Sequence, residues 1–229
     1  MVGVLGVSAS AILVRFSQAP SGVTAAYRLG WTVLLLLPVV LLRCRAELRR
    51  VTARDLVLCG ASGVLLALHF LTWFESLKRT SVASSTVLVS TEVIFTALGF
   101  ALFLHGKIPR LGVWAILLAF GGSALLALSG GGGAGELSGN LLALAAASAA
   151  AVYTLIGRIQ RGHLSTTVYT FLTYLACFLT LLLGTAAAGT PLTGYGGREW
   201  LIGLALAVLC TLLGHSLFSW CLKYLSPSY

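Results

Sequence analysis

Long apolar runs recur along the whole chain, each ended by a short cluster of charged, polar or glycine residues. They lie near 3–18, 22–42, 55–77, 81–103, 111–129, 138–157, 166–188 and 199–222. Crossing roughly 30 Å of hydrocarbon takes about 20 apolar residues in an α-helix, so each run predicts one spanning helix. The first run is short and its ends are poorly marked. No polar stretch between runs is long enough for a folded soluble domain. The expected fold class is an all-α polytopic membrane protein of about eight helices.

Composition agrees: hydrophobic residues make up 58% of the 229 and charged residues 9%, which a soluble globular chain would not tolerate. Met1–Ala11 has no basic start, and Arg15 interrupts the run before a small-residue cleavage site could form, so the first helix is expected to stay and act as the targeting signal. Cys44, Cys59, Cys177, Cys210 and Cys221 show no CxxC spacing, and four fall inside runs. They read as small buried hydrophobes, with no disulfide framework and no metal site.

The net charge of +9 follows membrane topology rather than nucleic-acid binding. Arg43, Arg45, Arg49, Arg50, Arg54, Lys107, Arg110, Arg158 and Arg161 stand on alternate connections. The opposite connections hold only Arg15, Lys78, Arg79 and Arg198. The positive-inside rule places the richer loops, and with them both termini, in the cytoplasm of a bacterial-type plasma membrane.

Two runs echo each other. Residues 65–81 read LLALHFLTWFESLKRTS and residues 212–226 read LLGHSLFSWCLKYLS; His69 and His215 are 146 positions apart, Lys78 and Lys223 are 145 apart. The echo joins the third and eighth helices. Five spans separate them, and an odd number reverses direction, so the two copies are inverted. Residues 1–129 form a first five-helix unit, the glycine-rich 130–139 a flexible hinge, and 140–229 a partial second unit of three helices. His69 and His215 would straddle the midplane, roughly 11 Å apart in depth at 1.5 Å per residue. The second copy stops where the first still has about 48 residues to run, so loss of a C-terminal piece is expected, with a working eight-span chain as the alternative.

The pair YR at 27–28, the segment HFLTWFESLKRTSVASSTVLVSTEVIFTAL at 69–98 and GHSLFSWCLKYLSPS at 214–228 resemble the drug/metabolite transporter superfamily, specifically EamA-type permeases. The resemblance runs from Ser8 to Ser228. It implies ten helices in two inverted five-helix repeats, cytoplasmic termini, a central substrate cavity and alternating access. The chain departs from that pattern in three places. Val93 follows Thr91-Glu92 where the family usually has proline in the fourth helix. Leu104-His105-Gly106-Lys107 lacks the usual glutamate, and the ninth and tenth helices are missing.

Ionisable groups inside spans are costly and so mark candidate sites. Glu92, near the middle of the fourth span, could couple proton movement to export, or be satisfied by Thr91, Ser90 or backbone. Arg28, about six residues into the second span, lies close enough to the outer face to snorkel. It would pin helix ends, pair with Glu92 or Glu75, or attract anionic substrates. Tyr27 beside it faces elsewhere. His69 and Trp73 share a helix face and would offer a cavity wall with a stacking surface, unless His69 only bonds a neighbouring helix and Trp73 belongs to the interfacial aromatic belt. Ser219 shares the face of His215, and Tyr153 is a further cavity candidate. Glu75, Lys78 and Arg79 read as boundary charges. Small residues at Gly60–Gly63, Ser81–Ser85 and Ala143–Ala151 permit close helix approach.

The function expected is secondary, possibly proton-coupled, export of small metabolites or amphipathic compounds by alternating access. The alternatives are a non-transporting fragment or structural membrane partner and, last, an intramembrane enzyme, for which no nucleophile–base pair or HExxH cluster is present. No cofactor and no nucleic acid are expected. The partners would be a small-molecule substrate, protons, the lipid bilayer and a second copy of the chain in a homodimer.

Overall fold

The computed structural model describes residues 2–103, 105–106, 108–129 and 134–215. Every regular element among them is helical. In chain order these are α1 (Val2–Phe16), α2 (Ser21–Arg43), α3 (Arg45–Leu48), α4 (Ala53–Arg79), α5 (Val82–Ser90), α6 (Glu92–Phe103), α7 (Arg110–Ser129), α8 (Ala134–Gln160), α9 (Thr166–Ala187) and α10 (Gly197–Ala205). The last continues into a wide-turned π segment, Leu206–His215. Joining α5 to α6 and α10 to the π segment, and setting the short α3 aside, matches the eight predicted runs, the eighth as far as His215. Six described stretches are long and apolar enough to cross a membrane: α2, α4, α5–α6, α8, α9 and α10 with its continuation.

Local chemistry sets the starts. Thr52 caps α4 by accepting from the Asp55 amide, while Asp55 returns the favour to the Thr52 amide, a reciprocal box that satisfies two orphan donors. Ser81 and Ser165 cap α5 and α9 in the same way through the amides of Ser84 and Val168. Many large apolar side chains point outward, among them Leu42, Val57, Leu118, Leu183 and Leu201. Such an all-round apolar surface suits lipid rather than water.

The core forms along α4, which packs against both α8 and α9; α9 also packs on α2, α1 on the π segment, and α2 on α10. Moving every helix five spans along exchanges these contacts with one another. The α4–α8 pair becomes the π segment with α1, the α4–α9 pair becomes α10 with α2, and α2–α9 maps onto itself. Glycine makes two of the contacts possible. A Cβ on Gly63 would stand 2.5 Å from the Ala176 Cβ and 2.7 Å from the backbone of Thr173 and Cys177; one on Gly203 would stand 2.7 Å from the Tyr27 Cβ. Ala143, Ala146, Ala147, Ala150 and Ala151 are buried where α8 meets its neighbours. Gly60, expected to share the close approach, has nothing within 4 Å of its Cβ position.

Three features differ from the sequence reading. The fourth span is two helices, broken at Thr91, whose hydroxyl and amide both donate to the Leu88 carbonyl. The helix after the glycine-rich segment starts at Ala134, so the later part of 130–139 is helix rather than hinge; Gly139 is buried there, its Cβ position 2.9 Å from Thr80. Residues 130–133 lie outside the described residues. The eighth span opens into π turns, which no residue pattern announced.

Candidate functional site

Arg28 is the most enclosed charged side chain of the described residues, with 0% of its surface exposed. Its Nε donates to Thr211 Oγ1 at 2.8 Å and its Nη1 to Ser10 Oγ at 3.1 Å. The guanidinium carbon stands 4.3 Å from the centroid of the Phe70 ring, a cation–π distance. Thr211 is oriented for this, because its own hydroxyl proton goes to the Leu206 carbonyl five residues back. Thus α1, α2, α4 and the π segment converge on one guanidinium. Its Nη2 is buried and has no hydrogen-bond partner among the described residues.

Arg28 therefore does not snorkel, and it pairs with neither expected carboxylate. Glu75 holds Arg79 at 3.0 Å and accepts from Ser21 at 3.0 Å, near the end of α4. Glu92 accepts from Thr154 Oγ1 at 2.9 Å. The two neighbours on α2 point apart: Tyr27 donates to the Leu192 carbonyl and stacks on Trp200 at 4.1 Å, which turns Arg28 into the bundle.

His69 and Trp73 do share a face, their rings stacked at 5.8 Å, with Phe70 edge-on to His69 at 5.2 Å. The His69 Nδ1 lies 3.0 Å from the Ala146 carbonyl, which can only accept, so that nitrogen donates. Trp73 is 5% exposed and its Nε1 is buried with no partner among the described residues, so it belongs to the interior and not to an interfacial belt. Tyr153 is buried in the same core. Glu92 is half-buried in the first turn of α6, directly after the break at Thr91. Its partner comes from α8 instead of the expected Thr91 or Ser90. His215 ends the π segment; its side chain, and Ser219 altogether, lie outside the described residues.

Two carboxylates form a matched pair that the sequence reading missed. Asp55, at the start of α4, accepts from Gln160 Nε2 at 3.1 Å and from His163 Nε2 at 2.7 Å, beyond the end of α8. Glu199, at the start of α10, accepts from Ser17 Oγ at 2.6 Å and from the Gln18 amide at 3.0 Å, beyond the end of α1. The carboxylates are 144 positions apart, and His163 and Ser17 are 146 apart, which is the spacing of the echo. Lying at opposite ends of the bundle, each clamps the helix pair that the exchange relates to the other. Arg28 and Tyr174 are also 146 apart, and both are fully buried, on the self-related pair α2 and α9.

The model of the EamA-like transporter family matches residues 1–128 and again residues 137–229. The chain belongs to the EamA-like transporter family. It is accordingly an integral membrane protein of a family of transporters, not of enzymes. No curated protein matches the chain. Among solved structures, a crystal structure of a protein superposes with a TM-score of 0.63 at 19% identity, covering 96% of this chain and 77% of that one. That likeness bears on the fold alone.

In this EamA-like chain the spacing of 144–146 was the signal that could have found Asp55 and Glu199. Both stand at span ends, where charges are ordinary, so composition alone did not single them out.

Proposed function

We propose that the chain is a secondary transporter that moves small metabolites or amphipathic compounds by alternating access, with Glu92 carrying the coupling proton. The observation that supports this most directly is the pair of carboxylate clamps. Equivalent clamps at opposite ends of two exchanged helix pairs are what a two-gate transporter needs, because releasing one end while holding the other admits substrate from a single side. On the charge distribution, the Asp55 clamp is the cytoplasmic gate and the Glu199 clamp the outer one.

Glu92 fits the coupling role by position. A carboxylate at a helix break holds Thr154 on α8, a contact that a small rotation of α6 would remove, and intramembrane carboxylates serve as proton relays. The test is substrate flux in proteoliposomes with and without an imposed pH gradient. Wild-type flux is expected to rise with the gradient, and Glu92→Gln flux to ignore it. Equal gradient dependence in both proteins sinks the coupling role. No gradient-driven or counterflow flux across a panel of small compounds sinks the transporter reading.

A further inference from the structure

A guanidinium keeps its charge at any physiological pH, and taking a charge out of water is costly unless an opposite charge accompanies it. Arg28 has no such companion. All six acidic side chains of the chain fall among the described residues, and none lies within ion-pair distance of Arg28. Two hydroxyls and an aromatic face contact it, with Tyr174, Cys177, Cys210 and His69 near by, and no acidic side chain is among them. Nη2 is buried and has no hydrogen-bond partner among the described residues. The site is thus one negative charge short, and the shortage sits between α2, α1, α4 and the π segment, where the two halves meet.

We propose that Arg28 is the recognition site for a monoanionic carboxylate ligand with an apolar or aromatic body. The inference rests on the transporter reading only in calling that ligand the transported substrate. Charge balance limits the ligand to one negative charge, since a dianionic phosphate would leave a net charge buried. The unused donors limit it to acceptors: Nη2 of Arg28 and, one turn along α4 from the Phe70 face, Nε1 of Trp73 both offer N–H groups and neither offers a lone pair. Phe70 and Trp73 supply the surface for the body. The guanidinium is closed off on every side in this structure, so the ligand enters as one of the carboxylate clamps opens.

The test is binding rather than flux. The full chain, purified in detergent, is heated in the presence of benzoate or benzamide, and of phenylacetate or phenylacetamide, pairs of similar shape that differ in charge. The carboxylates are expected to raise the unfolding temperature, with apparent affinities at least about tenfold tighter than the amides, as a charge-assisted bond to a buried guanidinium requires. Arg28→Gln should lose that preference, and Arg28→Lys should keep the sign with weaker binding because the planar fork is gone. Equal shifts from carboxylate and amide, the same shift from sodium chloride, tighter binding of phenyl phosphate, or a folded Arg28→Gln protein that still prefers carboxylates overturns the proposal. Should Arg28→Gln fail to fold, the wild-type pairs decide alone. Carboxylate preference without any flux would defeat the transporter reading and leave this one standing. Flux of neutral compounds without carboxylate preference would do the reverse.

Discussion

Tyr169 and Ser62 tie α9 to α4 through a single hydrogen bond, hydroxyl to hydroxyl at 2.8 Å, with neither side chain exposed. Gly157 on α8 leaves room for the ring, since a Cβ there would stand 2.7 Å from the Tyr169 oxygen. Such bonds inside membrane bundles average about 0.6 kcal/mol and reach about 1.7, because the separated helices also find partners. Tyr169→Phe should therefore lower the thermal midpoint in detergent modestly, and Gly157→Leu, which evicts the ring, should lower it far more. Equal losses would mean that the hydroxyl, not the packing, holds the ring. At this scale the sequence was legible wherever a polar group interrupts an apolar run: Glu92, His69 and Arg28 all stood out. What each one meets was not legible. Arg28 looked close enough to the boundary to snorkel, and only the directions of Tyr27 and Thr211 show that it faces inward.

Helices were the easiest elements to read, because apolar length is a strong signal, and their interruptions were the hardest. Thr91 breaks the fourth span without the proline that usually marks such a place. The break uses the Thr91 hydroxyl to compete for the Leu88 carbonyl, a local bond that many serines and threonines make without breaking anything. The glycine-rich segment is helical from Ala134 onward, because glycine permits a close helix contact as well as a flexible chain. Gly139 serves the second purpose against Thr80, where Asn140 also accepts from Thr80 and Ser84. Gly63 gives the sharper test of element packing. Gly63→Ala would drive a methyl into the backbone of α9, and overpacking of this kind typically costs about 1–3 kcal/mol. Gly60→Ala, on the same helix with open space, should be neutral or slightly stabilising. Thermal midpoints of the two variants read the difference, and similar losses in both would contradict the close approach.

Across the whole molecule, the two clamps make a prediction with opposite signs. Cys59 is 1% exposed, one turn inward of Asp55 and 4.0 Å from the Gln160 amide. Asp55→Asn weakens the clamp beside it and should speed maleimide labelling of Cys59, read at that site by peptide mass spectrometry. Glu199→Gln frees the far end, which in a two-gate machine favours closure at the near one, so Cys59 labelling should stay level or fall. Faster labelling in both variants would indicate general loosening rather than exchange between two closed ends. The sequence by itself determined that the chain is a helical membrane protein, that its third and eighth helices repeat, and which intramembrane residues are costly. Hydrophobic length and periodicity are local properties, and a chain carries them openly. Tertiary structure alone decided which polar groups find partners. That Glu92 meets Thr154, that Asp55 and Glu199 clamp opposite ends, and that Arg28 is buried one charge short all depend on how distant helices rotate about their axes. Rotation is set by side-chain packing between helices, and no single helix encodes it.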